Sequence, residues 1–357
     1  MSKKYTGLPG LRGYAAAAKV ARYGDFTSSR GSADYELREG LAEVRAKVRY
    51  LARNSSSMKR FLNLMHVNVV GEHGFRLQSR VRRNDGSLAS ALNTRVEEAW
   101  AEWCEAPTAC GQMHMVDLCE QAIRALCRDG EFIWEVYFNG DSAEINPIEA
   151  DQLDETKNEV YPPTGNEIRM GVEINDKGRP VAYHFLTQHP GDAVSYDLML
   201  RNRHRRVTAD RVLHVFKKER VGQTRGEPPA ASMVLGVKML DGYREAETMG
   251  RRLRSALMGF FTSDMPPTAQ IEQLADRPDE DQELFEMDME PGRMKQLPHG
   301  MRFEEFSPGG STTDYAEFEQ QAKKDIAMGV NISTMSHGME VSGVSYSSGR
   351  TVIQEDR

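Results

Sequence analysis

Residues Asp325 to Arg350 read DIAMGVNISTMSHGMEVSGVSYSSGR. A helical apolar period ends at Gly329. Gly, Ser and Met residues without a period follow, and Ser345-Tyr346-Ser347-Ser348 opens a second helix. Only seven residues remain after Arg350. The pattern predicts a helix, a loop that acts by its position rather than its chemistry, and the first turns of a helix whose remainder is absent.

Upstream, Tyr315, Phe318, Ala322 and Ile326 share one stripe and predict a helix over Tyr315–Met328. The longest helical window runs from Ala230 to Phe261, just after Pro228-Pro229, with Ala246, Met249, Leu253, Ala256 and Phe260 three or four residues apart. At 1.5 Å per residue such a helix would be roughly 50 Å long. Gly236, Gly242, Gly250 and Gly259 would each cost it about 1 kcal/mol relative to Ala, which points to close backbone neighbours. Asp264 and Pro266-Pro267 end the window. A polar acidic stretch follows, then short strands expected between Arg293 and Phe306.

The first two thirds read as an arm and a mixed α/β body. Residues 1–34 are rich in Gly, Ala and Ser and lack a period. From Asp34 to Val70 the pattern is helical, with a break at Arg53-Asn54-Ser55; Phe75 to Val81 alternates like a strand. Helices are expected around Leu92–Cys104 and Met113–Arg128. Glu131–Phe138 is a strand stopped by Asn139-Gly140. Ile168–Ile174 and Val181–Thr187 form a hairpin around Asn175–Gly178, and Val212–Phe216 is a further strand. These elements predict an α+β body with a mostly antiparallel sheet.

Composition bounds the function. The 357 residues are 39% hydrophobic and 28% charged, enough for two or three domains with a real core. No window approaches the length of a membrane span, and the apolar patch Tyr14–Ala18 is too short for a secretory signal, so no membrane partner is expected. Cys104, Cys110, Cys119 and Cys127 contain no C-x-x-C pair, which argues against structural zinc; Cys119 and Cys127 read as buried thiols. The net charge of −7 is unevenly placed. The first sixty residues hold thirteen Lys/Arg against five acids, residues 201–225 nine against two, and 276–290 eight acids against one Arg. Such asymmetry speaks of surfaces and partners.

Chemistry is thin. No P-loop, nucleophile elbow, HExxH or dinucleotide fingerprint occurs. Asp276, Asp279, Glu280 and Asp281 sit together around a proline and read as a solvated loop rather than a two-metal nuclease site. His189, in the turn HPGD, shows no acid or nucleophile partner in sequence. No catalytic residue, metal or cofactor is expected.

Several blocks in order carry a resemblance: RDGE at 128–131, IEADQLD at 148–154, GVEI at 171–174 with GRPVAY at 178–183, HPGD at 189–192, VLHVF at 212–216 and RVGQTRGEP at 220–228. Phe318, Ile326-Ala327, Gly329-Val330 and Tyr346 to Arg350 complete the series. Over roughly residues 35–350 the chain resembles the lambda-type phage portal proteins. That resemblance implies an α+β portal fold with an α/β wing, two long stem helices and a small clip, assembled into a ring of about twelve copies. It divides the chain into an arm (1–34), wing (35–227), first stem helix (228–263), clip (264–311), second stem helix (312–329), tunnel loop (330–346) and the start of a helix (347–357), with the crown missing.

The same resemblance implies a DNA channel at one capsid vertex. Its partners would be passing double-stranded DNA, the terminase large subunit, the head-tail connector protein and the major capsid and scaffolding proteins. The protein would reside in the virion and, during assembly, in host cytoplasm. Asn331, Ser333, Met335, Ser336, Met339, Glu340 and Ser342 would line the tunnel loop. Asp276, Asp279, Glu280, Asp281 and Glu283 would face the channel or its mouth. Gly236, Gly242, Met249, Gly250, Leu253 and Phe260 would pack stem helices of adjacent copies. A head-completion or connector ring protein, and a DNA-processing enzyme such as a nuclease or terminase subunit, are the alternative readings.

Overall fold

The computed structural model describes residues 30–140, 142–160, 165–192, 204–255, 259–263, 301–305, 315–338 and 346–355. The acidic segment 276–290 and the loop residues Met339, Glu340 and Ser342 lie outside them. The chain divides into two compact units, one from residues 1–46 and 73–228, the other from 47–72 and 229–357.

The break expected at Arg53–Ser55 separates α1 (Ala33–Asn54) from α2 (Ser56–Val69), with Ser55 extended at φ −105° and ψ 129°. Leu41, Val48 and Leu51 of the apolar stripe are buried. Helices α3 (Ser90–Glu105) and α4 (Met115–Asp129) follow. The His114 ring caps α4 by accepting the Val116 amide, and Gly130 ends it at φ 91°. Burial pushes the Cys127 thiol up to about 11; Cys119 is only half-buried, against the expectation of a core thiol.

The strand expected over Phe75–Val81 does not form. The segment runs alongside α3, and side chains take its amides: Glu97 Oε1 accepts from Ser79 N, and Asn93 Oδ1 from Val81 N, both at 2.9 Å. No neighbouring strand among the described residues supplies a ladder.

Two sheets build the body. The first has order β2-β1-β7, with β1 at Glu131–Asn139, β2 at Ser142–Ile148 and β7 at Val212–Phe216; all pairs are antiparallel. The second has order β3-β4-β5-β6, with β3 at Glu167–Arg169, β4 at Val172–Ile174, β5 at Pro180–Leu186 and β6 at His204–Thr208. Ile168–Ile174 is therefore two strands, not one. Met170 (φ 45°) and Gly171 (φ 82°) turn the chain between them, a reversal that alternation alone does not reveal. Ile133 and Ile148 of the first sheet meet Val172, Ile174, Tyr183, Phe185 and Val207 of the second in one buried cluster.

In the second unit a short 3-10 turn (Pro229–Met233) leads into α5 (Val234–Ser255). The expected helix to Phe261 is thus shorter: its 22 residues span about 33 Å. Gly259–Ser263 is instead β8, paired antiparallel with β9 (Met301–Glu305), so Phe260 lies on a strand opposite Glu304. The run GFFTS has the aromatic and β-branched content of a strand, and a partner strand satisfies its backbone. Helix α6 (Tyr315–Gly329) follows as expected. The stretch after it is not all loop, because Thr334–Gly338 forms α7; α8 covers Tyr346–Glu355.

Candidate functional site

The segment expected to touch DNA is launched from an antiparallel helix pair. Along α5 and α6, Tyr243 stacks on Tyr315 (5.7 Å) and meets Phe318 (4.3 Å), while Arg244 pairs with Glu319 at 2.5 Å. Further along, a Cβ on Gly236 would stand 3.0 Å from Ile326 Cγ1, and Ser232 Oγ donates to Gly329 O at 2.7 Å. Gly236 therefore serves packing within the chain. A Cβ on Gly242 would meet nothing within 4 Å, and Met249 is exposed; Gly250 and Leu253 lie on the same helix.

The end of α6 is closed by two hydrogen bonds, Ile332 N to Ala327 O and Asn331 N to Met328 O, with Asn331 left-handed at φ 56°. This is the Schellman arrangement, with Asn where Gly is commoner. Asn331 thus sets the direction in which the chain leaves the helix. Ser333 then starts α7: its hydroxyl accepts the Ser336 amide at 3.2 Å and its carbonyl the His337 amide at 3.0 Å. From α2, Arg60 clamps the far side by donating Nε and Nη2 to Ser336 O at 3.1 and 2.9 Å. His337 is buried, with Nδ1 lacking a hydrogen-bond partner among the described residues. Burial, with Arg60 and Lys323 nearby, keeps the ring below its ordinary pKa and neutral. Asn331, Ser333, Met335 and Ser336 are thereby brought into one held turn.

The blocks that carried the resemblance meet elsewhere, around Glu131. Its carboxylate accepts Arg45 Nη2 (2.8 Å), Arg225 Nε and Nη2 (2.8 and 2.6 Å), His214 Nε2 (3.0 Å) and the Gly226 amide (2.9 Å). Arg225 also donates to the carbonyls of Ala150, Leu153 and Met170. All four side chains at this centre are essentially inaccessible. Burial raises the Glu131 pKa, but Arg225 and Arg45 outweigh it and hold the carboxyl well below the usual range. Gly130 and Gly226 make the approach possible, since a Cβ on Gly226 would sit 2.0 Å from Gly130 O. These buried side chains form a structural knot.

From His204 on, the cations of the basic run 201–225 largely find partners within the chain. Arg205 grips Glu135 with two bonds at 2.5 and 2.6 Å, and Arg206 grips Glu173. Arg206, then Asn166 and His184, bring the Glu173 carboxyl down to about 2 against the cost of burial. Arg211 lies over Tyr137, Lys218 over Phe216, Lys217 pairs with Glu219 and Arg220 with Glu36.

Glu149, Asp151 and His189 are the one group among the described residues whose side chains could converge on a metal ion. His189 does therefore have acid neighbours, which the sequence separation of its partners concealed. Its Nε2 lies 3.4 Å from Glu149 and 3.5 Å from Asp151. The Gly191 amide donates to Nδ1 at 3.0 Å, so the neutral ring carries its proton on Nε2. A ligating histidine has the reverse arrangement, with its second nitrogen donating. Nε2 makes no hydrogen bond to either carboxylate among the described residues, so the group is a loose set of charges and not a built metal centre.

With this geometry in view, comparison with known proteins is decisive at the level of family. Residues 20–357 match the phage portal proteins of the lambda family. The chain belongs to that family. It is 28% identical over 341 residues to a probable portal protein of Halomonas phage phiHAP-1, covering 92% of this chain and 64% of that one. It is 22% identical to the portal protein of Escherichia phage N15, covering 91% and 66%. The chain thus spans just under two thirds of the length of each. Among solved structures, a chain of the neck of an empty gene transfer agent particle superposes with a TM-score of 0.51 at 13% identity, covering 88% of this chain and 76% of that one. A chain of the native gene transfer agent virion gives the same score and identity, covering 88% and 75%. These likenesses support an α+β portal fold. Within this portal-family chain, the blocks RDGE and RVGQTRGEP meet in the Glu131 knot.

Proposed function

We propose that copies of this chain assemble into a ring of about twelve around a channel at one capsid vertex, through which double-stranded DNA is packaged and later ejected. The observation that carries this reading, in a chain of the portal family, is the antiparallel α5/α6 pair with β8 and β9 between its two helices. That order fits two stem helices bracketing a clip. In this reading residues 35–227 are the wing, 228–263 and 312–329 the stem, 264–311 the clip and 330–346 the tunnel loop.

The DNA passes without being held. Each neutralised phosphate would add salt-dependent affinity, so a conduit works best with few cations. The net charge of −7 and the small or flexible uncharged side chains of Ser333, Met335, Ser336, Met339 and Ser342 fit that requirement. The acidic residues of 276–290 face the channel or its mouth. Exposed Leu235 and Met239, one turn apart on α5, offer an apolar strip for an adjacent copy to cover, beside Gly242, Met249 and Gly250. The clip docks the terminase and then the head-tail connector, and the wing meets capsid and scaffolding proteins. The chain acts as a structural part rather than an enzyme.

Negative-stain microscopy of the purified full-length protein tests the ring. Closed rings of about twelve subunits with a central hole are expected; a monomer at micromolar concentration would contradict the reading.

A further inference from the structure

We propose that residues 75–82 form a docking edge to which an extended acidic segment of a partner protein adds as a β-strand. The segment is held straight from one side only. Ser79 and Val81, two residues apart, bond to Glu97 and Asn93, four apart on α3. The extended spacing of about 6.6 Å matches about 6 Å of helix rise, so the chain runs as a strand would. In an extended chain successive amides point to opposite sides, so those of Gln78 and Arg80 point away from α3. Neither makes a backbone hydrogen bond among the described residues. Such an unpaired edge is a template for strand addition.

Its side chains specify the visitor. Phe75 (62% exposed), Leu77 (40%) and Val81 (44%) lie open to solvent. A groove of about 340 Å³ beside them, lined by Phe75, Leu77, Trp100 and Met115 together with Glu97 and Glu105, can take the apolar side chains of the visitor. Arg76, Arg80, Arg82 and Arg83 alternate with these apolar residues, and no acid occurs between His73 and Asn84. None of the four pairs with a carboxylate among the described residues; Arg80 reaches Gln78 and Arg82 reaches Gly86 O. This contrasts with Arg205, Arg206 and Arg225, each already neutralised within the chain. Charge complementarity across paired strands therefore calls for acidic residues alternating with apolar ones.

The probe is a labelled synthetic peptide FEMDME, the sequence of residues 285–290, chosen because acidic and apolar residues alternate in it. Fluorescence anisotropy with the whole protein should show saturable binding. Binding should weaken by about tenfold or more with Gln78→Pro, which removes an outward amide, and with Arg80→Glu combined with Arg82→Glu. N-methylation of alternate peptide amides should abolish binding while leaving the protein untouched, which guards against misfolded variants. Equal binding of the N-methylated peptide, or of a version with lysine at every acidic position, would overturn the proposal. So would a short DNA duplex that binds through these arginines while the peptide does not bind.

Discussion

In the first unit Glu131 is surrounded by Arg45, Arg225, His214 and the Gly226 amide with no side chain of the set reaching solvent. In the second, Glu319 meets Arg244 and Lys323 on the surface of a helix pair, each partly exposed. Both are carboxylates with two cations, yet they do different physical work. The buried set permits one geometry, because any lost partner leaves a charge stranded in a low dielectric. The surface set is screened by water and adds little beyond alignment. The body is therefore over-determined. The helix pair that leads to the loop is held mainly by aromatic stacking, a cap and one arginine clamp.

The comparison breaks most visibly at Arg225. Replacing it with Ala should cost about 3–5 kcal/mol in denaturant unfolding, since Glu131 would remain buried against fewer cations. A loss below about 1 kcal/mol would mean that the knot is not what fixes the body.

Acid should separate the units next. The Glu173 pKa is depressed from 4.5 to about 2 in the folded chain, so its contribution is complete above about pH 4.5 and is lost as pH falls towards 2. The contribution amounts to up to about 3 kcal/mol. Stability measured from pH 6 to pH 2 should decline over that window, and Glu173→Gln should flatten the decline. An unchanged profile would remove Glu173 from the account. The smallest effect is expected at Arg244: Arg244→Ala should cost only about 0.2–1 kcal/mol, shrinking further in high salt. A loss as large as that at Arg225 would erase the contrast between the two units.

Local signals were legible and long-range ones were not. The break between α1 and α2, the stop of β1 at Asn139-Gly140, and the turn before β5 each rest on a few adjacent residues whose backbone preferences suffice. The three-to-four spacing of Phe260 continues the rhythm of α5, while the strand that claims it lies some forty residues later. Phe75–Val81 alternates as a strand should, but its pairing groups are the side chains of α3. The motifs RDGE and RVGQTRGEP are visible in sequence, yet nothing there shows that Glu131 and Arg225 are partners; the fold brings together residues 94 apart. The closure of α6 by Asn331 was equally hidden, since the residue alone does not announce a left-handed turn.

The most direct test of the DNA-conduit account uses assembled, DNA-filled particles carrying a photo-crosslinking amino acid at a single position. Placed at Met335, on α7 between α6 and α8, it should yield protein–DNA cross-links on illumination. Placed at Val221, fully exposed on the first unit, it should yield none. Cross-links from Val221 and none from Met335 would contradict the account.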